Sequence, residues 1–416
     1  MKSKTNKKVI VLGASCFFED AYKKLQQMGY FIVSIDYYDD RRAICRKYAD
    51  KVYRVSTLDY EKVRDIAIHE KPDVVYAGAS EVNIPVAIRL SEELGIDYYC
   101  GFDQWKIATN KKLFKEMCQR HGLDVTEYYL LNINDKNSEC KLEYPVVTKP
   151  IDSSGSRGVS ICHDKDEFLQ GVAHAFSETK SSEILVEKYI TFDSVMVHYT
   201  IVNGKAYFCG MSDKKSRKIS STGGPIMSSQ LFPSKFEDKF LSKYDAIARN
   251  MYEQEGFRNG PVWIEMFSNG EKFLFNEMGY RFEAPMTYLP VKFYYGIDQM
   301  ELLIESKSKE IDSQVISSNS GEKYAIVPIH ILPGKIKEIN GLEESRSLPN
   351  VHAIEICHVK GDEIEASGTV LQTFCYVHIV NEDTTKINET LMQVKRSLSV
   401  KNFDNKDMLM EESVSF

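Results

Sequence analysis

Short apolar runs and amphipathic stretches alternate along the first hundred residues. Uninterrupted apolar runs predict buried strands, and apolar residues that recur every three or four positions predict helices. The predicted strands are Val9–Leu12, Phe31–Ile35, Val52–Val55 and Val74–Ala77, and the predicted helices are Glu19–Met28, Tyr60–Glu70 and Ile84–Leu94. This alternation is typical of a parallel sheet with helices on both faces. The sequence therefore predicts an α/β domain over residues 1–102.

After residue 102 the pattern changes to longer strands in hairpin-like pairs, with fewer helices between them. The predicted helices are Lys111–His121, Lys165–Ser177 and Lys235–Tyr252, and the predicted strands are Tyr144–Lys149, Gly158–Cys162, Glu183–Tyr189, Val195–Val202, Lys205–Met211, Val262–Phe267 and Lys272–Met278. Polar residues fill positions 306–320, which predicts a linker. We therefore predict an α+β domain over 103–306 and a further α+β domain over 321–416.

The composition is that of an ordinary globular protein, with 43% hydrophobic and 27% charged residues. A net charge of −7 gives no electrostatic attraction to nucleic acid or to anionic lipid. No apolar run approaches the roughly 20 residues that cross a bilayer. The nine cysteines include no CxxC pair, which disfavours zinc and disulfide frameworks. We therefore expect a cytoplasmic protein with no nucleic-acid or membrane partner.

The second predicted strand ends at an acidic residue, Asp36, as strands in NAD-binding folds do. However, the first turn offers a single glycine, Gly13, where the dinucleotide fingerprint needs three. Cys16 and Phe17 would also crowd a pyrophosphate in that turn. The sequence therefore argues against an NAD site in the first domain.

A turn rich in glycine and serine follows the predicted strand that ends at Lys149. Backbone N–H groups and hydroxyls in such a turn can surround phosphate oxygens, and the lysine supplies a fixed positive charge. The turn is not a P-loop, because no GK[ST] follows and the next element is a strand. Its candidate residues are Ser153, Ser154, Gly155, Ser156 and Gly158. A plain surface hairpin explains the same residues equally well when the turn is considered alone.

Two carboxylates, Glu265 and Glu277, lie on predicted strands on either side of a hairpin signal at Asn269-Gly270. Neighbouring carboxylates suit Mg²⁺, which binds a few carboxylates together with phosphate oxygens and water. Acids within apolar strands are also costly to bury unless cations accompany them. The alternative is that both glutamates simply face solvent.

The register of this hairpin decides whether the two glutamates can share a metal ion. With a symmetric two-residue turn, Glu277 would face Val262, and the glutamates would point to opposite faces of the sheet. With an odd loop, Glu277 would face Trp263, and Glu265 would lie on the same face about 7 Å along the strand. We therefore expect an odd loop or a bulge in this hairpin.

The order of these features resembles the ATP-grasp superfamily. Lys111 on a helix, Lys149 before the glycine-rich turn, the segment 184–190, Glu265 and the segment 276–281 follow one another as they do in that family. The resemblance implies a pre-ATP-grasp domain over 1–102, a two-lobed ATP-grasp domain over 103–306 and a lid-like C-terminal domain over 321–416.

The resemblance implies an ATP site. The residues that it assigns are Lys111, Lys149, Ser153, Ser154, Gly155, Ser156, Gly158, Glu187, Lys188, Ile190 and Ser194. The two lysines 111 and 149 would hold the phosphates, and residues 153–158 would form a mobile loop over them. The segment around Glu187 would border adenine, mainly through backbone groups. Ser194 stands where the family usually has a glutamate for the ribose.

The resemblance also implies a metal site and a catalytic cation. Glu265 and Glu277 match the ligands of Mg²⁺ or Mn²⁺, and Arg281 matches the arginine that steadies the transferred phosphate or the acyl phosphate. Gly279 stands where the family has an asparagine, so one expected ligand is missing. The alternative for Arg281 is a salt bridge with Glu283.

ATP-grasp enzymes phosphorylate a carboxylate with ATP, and an amine or another nucleophile then attacks the acyl phosphate. The last domain is similar to that of bacterial L-amino-acid ligases, which favours a carboxylate–amine ligase that forms an amide or dipeptide-like bond. Its partners would be small-molecule carboxylate and amine substrates, with a homodimer left open. Two alternatives remain. One is a purine-pathway or carbamoyl-phosphate-like ATP-grasp ligase, and the other is an ATP-binding protein that no longer catalyses.

Overall fold

The computed structural model describes residues 6–136, 139–220, 224–305, 321–411, 414 and 416. The strands are β1 (Lys8–Leu12), β2 (Phe31–Ile35), β3 (Lys51–Tyr53), β4 (Val74–Tyr76), β5 (Tyr128–Asn132), β6 (Val146–Pro150), β7 (Ser160–Cys162), β8 (Glu183–Lys188), β9 (Asp193–Val202), β10 (Lys205–Arg217), β11 (Ile226–Phe232), β12 (Gly260–Ser268), β13 (Phe273–Gly279), β14 (Lys323–His330), β15 (Gly334–Asn340), β16 (Val351–Ile356), β17 (Glu363–Ile364), β18 (Thr373–Asn381) and β19 (Ser399–Asn402). The helices are α1 (Glu19–Met28), α2 (Tyr60–Glu70), α3 (Ile84–Leu94), α4 (Phe102–Thr109), α5 (Lys111–Arg120), α6 (Lys165–Ser177), α7 (Glu237–Lys243), α8 (Asp245–Gln254), α9 (Tyr288–Tyr295), α10 (Gln299–Ile304), α11 (Leu342–Arg346) and α12 (Thr384–Ser397). The predicted linker, 306–320, lies outside the described residues.

The first sheet is parallel, with the strand order β3-β2-β1-β4. Its inner strand β1 is fully buried from Val9 to Leu12, since it pairs with a strand on each side. The loop after β4 carries Glu81, and it leads from the carboxyl end of the sheet into α3. The predicted α/β arrangement of this part of the chain is confirmed.

The second sheet is antiparallel, with the strand order β5-β8-β6-β7. The helix α6 packs on β6 and β7, and the Asp164 carboxylate caps its first turn by accepting a hydrogen bond from the Glu167 N–H at 2.9 Å. The strand β6 ends with Lys149 and Pro150. Lys149 therefore lies at the end of an inner strand, immediately before the glycine-rich turn.

The third sheet has eight antiparallel strands in the order β13-β12-β9-β10-β11-β14-β18-β16. The helix predicted over 235–252 is instead two helices, α7 and α8, because Tyr244 between them departs from helical geometry with a φ of −120°. The Tyr244 ring packs against the Phe273 ring at 5.1 Å. The break therefore lets an aromatic side chain reach the hairpin β12–β13.

The large sheet continues across the boundary that the sequence predicts before residue 321. The strand β11 pairs with β14, where Phe232 faces Tyr324 and Gln230 faces Ile326. The C-terminal part of the chain adds the antiparallel sheet β17-β15-β19. Strand pairing thus joins the segments on either side of the predicted linker into one sheet.

Ion pairs connect the first domain to the rest of the chain. Arg42 Nε lies 2.7 Å from an Asp362 carboxylate oxygen, and Lys24 Nζ lies 2.9 Å from Asp298. All nine cysteines are free thiols. Among the described residues, no helix combines the length and the apolar character that a membrane span requires.

Candidate active site

A cleft lies between α5, the glycine-rich turn and the hairpin β12–β13, and the first domain closes one side with Glu81. Its walls include Lys111, Trp263, Glu277 and Arg281. Three separate parts of the fold therefore bring charged side chains to one place.

The hairpin β12–β13 contains the bulge that the metal hypothesis requires. Ser268 faces Phe273 across a four-residue loop, and Met266 faces Phe275. The register then shifts, so that Asn276 is the extra residue of the bulge and Glu265 faces Glu277 directly. Without this shift, the even-numbered loop would place the two glutamates on opposite faces. The predicted bulge is confirmed, and the carboxylates project from the same face of the sheet.

Each of these two carboxylates lies beside a lysine. The Lys111 Nζ atom lies 3.2 Å from Glu277 Oε2, and the Lys214 Nζ atom lies 2.8 Å from Glu265 Oε2. Burial alone would raise the pKa of Glu277, but Lys111, Lys149 and Lys214 lower it to about 2. Glu277 is therefore ionised at neutral pH.

Lys149 is buried between two acceptors. Its Nζ atom donates to the side-chain oxygen of Asn276 at 2.8 Å and lies 2.8 Å from Glu187 Oε2. Glu187 also lies 3.0 Å from Lys115, a fully buried lysine that the sequence analysis missed. Two lysines therefore share one buried carboxylate.

The glycine-rich turn is held from two sides. The Lys111 Nζ atom donates to the Ser153 carbonyl oxygen at 2.6 Å, and the Ser156 hydroxyl donates to the Pro225 carbonyl oxygen at 2.8 Å. Gly155, Ser156 and Gly158 all have positive φ angles, of 65°, 60° and 72°. Backbone N–H groups in turns can form a concave site for an anion. The contact of this turn with phosphate stays a prediction.

The loop at Gly223-Gly224-Pro225 contacts this turn, although Gly223 lies outside the described residues. A Cβ atom on Gly224 would lie 3.0 Å from the Ser156 side chain. The glycines of this loop and the basic residues before it allow two interpretations, a substrate-side element and a solvated basic loop. Its contact with the turn places the described part of it beside the cleft.

Arg281 is held by the first domain and not by its sequence neighbour. Its Nη2 atom lies 2.5 Å from a Glu81 carboxylate oxygen, and its guanidinium lies 5.4 Å from the Trp263 ring centre. Glu283 instead pairs with His198 at 3.0 Å. The alternative of an Arg281–Glu283 salt bridge is therefore wrong. No motif marked Glu81, because its partner lies two hundred residues away in the chain.

Trp263 occupies the space beside Gly279, where the family has an asparagine. Gly279 is not among the residues with positive φ. A Cβ atom on it would lie 2.6 Å from the indole nitrogen of Trp263 and closer still to the ring carbons. A glycine opposite an aromatic side chain across two strands is a known packing arrangement. The absence of a side chain at 279 is therefore required by packing and not by backbone conformation.

The residues predicted to border adenine lie at the end of β8. The Lys188 N–H donates to the Glu127 carbonyl oxygen at 3.0 Å, and the Lys188 side chain is exposed. Ile190 follows two residues later and is half-buried. The Ser194 hydroxyl donates to Glu265 Oε1 at 3.1 Å, so it is directed at the paired glutamates. The ATP contacts of these residues stay predictions.

Residues 116–283 match the ATP-grasp domain family. The chain carries an ATP-grasp domain. The matched region begins within α5 and ends at Glu283, so it contains the glycine-rich turn and both hairpin glutamates.

Curated relatives of this ATP-grasp protein include formate-dependent phosphoribosylglycinamide formyltransferases. The enzyme of Actinobacillus pleuropneumoniae serotype 3 is 24% identical over 281 residues, which cover 66% of this chain and 69% of that enzyme. The enzyme of Ignicoccus hospitalis is 27% identical over 201 residues, which cover 47% of this chain and 49% of that enzyme. The alignment with the Ignicoccus enzyme thus spans about half of its length.

Solved structures share the fold over nearly the whole chain. The L-amino acid ligase from Bacillus licheniformis has a TM-score of 0.78 at 15% identity, over 96% of this chain and 100% of that one. The biotin carboxylase from Campylobacter jejuni, solved as a β,γ-ATP complex, has a TM-score of 0.77 at 17% identity, over 97% and 92%. At these identities the likeness concerns the fold alone.

Proposed function

We propose that the protein is a carboxylate–amine ligase that uses ATP and releases ADP and phosphate. In the first step a substrate carboxylate oxygen attacks the γ-phosphorus of ATP, and the bond from that phosphorus to the β–γ bridging oxygen breaks. In the second step an amine nitrogen attacks the carbonyl carbon of the acyl phosphate, the carbon–oxygen bond to phosphate breaks, and the amine loses a proton. The product is an amide or a dipeptide-like molecule.

The observation that carries this proposal is the bulged hairpin, which aligns Glu265 with Glu277 beside the half-buried lysines Lys214 and Lys111. Phosphoryl transfer depends on neutralising and aligning charge and needs no covalent protein nucleophile. Lys111 and Lys149 stand at the glycine-rich turn, where they would hold the phosphates. Arg281 stands across the cleft, where it would steady the transferred group.

The two glutamates fit Mg²⁺ or Mn²⁺. Glu277 is ionised, as a metal ligand must be, and hard oxygen ligands are those that Mg²⁺ prefers. The described residues contain no group of three or more acidic, histidine or cysteine side chains placed to hold a metal. Phosphate oxygens and water would therefore complete the ligand set. When bound, the ion would neutralise charge on the phosphates.

The comparisons support amide formation. The curated relatives are named for formate, which is a carboxylate, and for phosphoribosylglycinamide. The structure with a TM-score of 0.78 is that of an L-amino acid ligase. Formate with phosphoribosylglycinamide is therefore the second candidate substrate pair, which the sequence relatives favour, beside pairs of amino acids.

The test is ADP and phosphate release by the purified protein with Mg²⁺ and ATP, across a matrix of carboxylates and amines. The matrix includes all pairs of amino acids and the pair of formate with phosphoribosylglycinamide. Hydroxylamine in place of the amine should trap an acyl phosphate as a hydroxamate, and the trapping should require both ATP and the carboxylate. ATP binding without ADP release under every pair would instead support a protein that no longer catalyses.

Two variants connect any activity to this cleft. Lys149→Ala should lower kcat/KM for ATP by about a hundredfold or more, since phosphate-binding cations contribute several kcal/mol. Glu277→Gln should lower the reaction rate and raise the Mg²⁺ concentration required for half-maximal activity. Glu271→Gln, on the exposed loop of the same hairpin, is the matched control and should change neither. Unchanged kcat/KM in Lys149→Ala would remove the phosphate role of that lysine.

A further inference from the structure

Lys115 lies one helical turn after Lys111 on the same face of α5. Its side chain has no exposed surface, although lysine is among the residues most rarely buried. The Nζ atom lies 3.0 Å from Glu187 Oε1 and 5.5 Å from the centre of the Tyr128 ring. The side chain is therefore fixed in place and directed at the carboxylate that Lys149 also contacts.

Glu187 receives both lysines, one at each carboxylate oxygen. Lys149 lies 2.8 Å from Oε2, and the Glu187 side chain is only 4% exposed. Burial raises the pKa of Glu187, but Lys115 and Lys149 lower it, and the net direction is downward. The carboxylate is therefore ionised and fully enclosed by its two cations.

The net charge of Lys115, Lys149 and Glu187 determines how strongly this group attracts an anion. Lys149 with Glu187 alone would be a neutral pair, and a neutral pair attracts a phosphate weakly. Burial lowers the pKa of Lys115, whereas the Glu187 carboxylate at 3.0 Å raises it. With Lys115 protonated, the group carries one net positive charge. In a buried setting, where charges are weakly screened, that difference has a large effect on the affinity for an anion.

We propose that Lys115 is a positioning residue for ATP, which neutralises Glu187 and so leaves the charge of Lys149 for the phosphates. This inference rests on the proposed function, in which Lys149 binds the ATP phosphates. A purely structural role for Lys115 would instead affect folding alone, with no preference between phosphorylated and unphosphorylated ligands.

The test is a double-mutant cycle on the full chain, read as Kd by calorimetry with Mg²⁺. Lys115→Met should weaken the binding of ATP and ADP by about tenfold or more, because Glu187 then neutralises the positive charge of Lys149. Adenosine, which lacks phosphates, should bind within about twofold of wild type. Adding Glu187→Gln to Lys115→Met should restore ATP affinity to within about threefold of wild type, since the carboxylate that needs neutralising is gone.

The controls separate this inference from the proposed function. Lys112→Met is matched, because Lys112 lies on the same helix but pairs with Glu183 at a partly exposed site, and its ATP affinity should stay at the wild-type value. Unchanged ATP affinity in Lys149→Ala would overturn the phosphate role of Lys149 and this inference with it, whereas the ligase activity is tested separately by ADP release. If Lys149→Ala binds ATP more weakly while Lys115→Met keeps the wild-type affinity, the positioning role of Lys115 alone is overturned.

The double variant keeps the test open if Lys115→Met does not fold. Lys115→Met with Glu187→Gln buries no unpaired charge, so it should fold, as circular dichroism and the melting temperature would verify. ATP affinity more than about tenfold below wild type in this folded double variant would overturn the inference.

Discussion

Charged residues in the cleft fix one another. Lys111 lies against Glu277, and Arg281 lies against Glu81, so each cation has a carboxylate that sets its position. The cations in turn lower the pKa of these carboxylates against the effect of burial. Such preorganised charges need no rearrangement when charge develops in a reaction, which is the largest single contribution in many enzymes.

Gly279 gives the first prediction at this scale. Gly279→Asn should lower the free energy of unfolding by about 1–3 kcal/mol, because any side chain there overlaps the Trp263 ring. Combining it with Trp263→Leu should cost less than the sum of the two single changes, since the shorter side chain vacates that space. Urea unfolding of the three variants measures this coupling. Strict additivity would contradict the account.

The combined variant also tests the missing metal ligand. If asparagine at 279 adds a ligand, the Mg²⁺ concentration for half-maximal activity should fall relative to Trp263→Leu alone. An unchanged metal titration in the well-folded double variant would show that position 279 does not reach the metal site.

The sequence predicted the residues that carry charge where they stand on recognisable elements. Lys111 and Arg281 occupy distinctive positions in the order of motifs and line one cleft. Lys149 is buried against Asn276, the residue before Glu277. Lys115 was missed because a lysine within an amphipathic helix is ordinarily solvated, and its burial depends on Glu187 from another sheet. Glu81 was missed because its partner, Arg281, is likewise distant in the chain. Contacts between distant segments leave no local signal.

At the scale of elements, the glycine-rich turn depends on close packing at Gly158. A Cβ atom there would lie 2.7 Å from the Pro150 ring and 2.9 Å from the Glu178 side chain, in addition to the strain of a positive φ. Gly158→Ala should therefore displace the turn and raise KM for ATP by about tenfold. Steady-state kinetics at saturating co-substrates measures it.

Gly204→Ala is the control for Gly158→Ala. Gly204 has a similar φ of 79°, and a Cβ atom on it would have nothing within 4 Å, so it carries the backbone strain without the clash. The variant should lose about 1 kcal/mol of stability and keep the wild-type KM. Equal KM values for the two variants would contradict the packing argument.

Glu237, the first residue of α7, gives a pH prediction. Burial raises its pKa to about 7, even though the Met211 N–H donates to it at 3.0 Å. The folded chain therefore holds a proton that the unfolded chain releases near its ordinary pKa of 4.5, so this contribution to stability is present below pH 4.5 and lost as pH rises through 7. Glu237→Gln should gain stability relative to wild type by on the order of 1 kcal/mol between pH 5 and pH 8.

Urea unfolding at the two pH values measures this gain. Glu271→Gln, at an exposed loop position, is the control and should show no comparable change between them. A Glu237→Gln variant whose difference from wild type is the same at pH 5 and pH 8 would contradict the assignment.

The sequence predicted the elements well where one local period held over the whole element. The parity argument showed that Glu265 and Glu277 needed an odd loop or a bulge, but it did not show that a bulge at Asn276 would supply it. The helix over 235–252 was predicted as one piece because its apolar period continues through Tyr244. The break coincides with the contact of that ring with Phe273, which forms only when the hairpin is folded.

At the scale of the whole molecule, the third sheet links parts of the chain that the sequence treats as separate domains. A composition change at 306–320 marks a segment boundary, but strands on either side of such a boundary can still pair. Gln230 and Phe232 on β11 are buried to 0% and 1% exposure by their pairing with β14 and by the aromatic residues around it. The two segments therefore share a core.

This shared core predicts that the first 305 residues do not form an independent unit. Removal of 321–416 would expose the edge of β11 together with Phe232 and Met286, which pack with Tyr324 and Tyr376. Unpaired edges with apolar neighbours associate with other chains, so the fragment 1–305 should aggregate or bind ATP at least about tenfold more weakly than the full chain. Co-expression with residues 321–416 should restore a soluble complex. A monomeric, folded fragment with the ATP affinity of the full chain, shown by light scattering and calorimetry, would mean that β14 merely caps a sheet that is already stable.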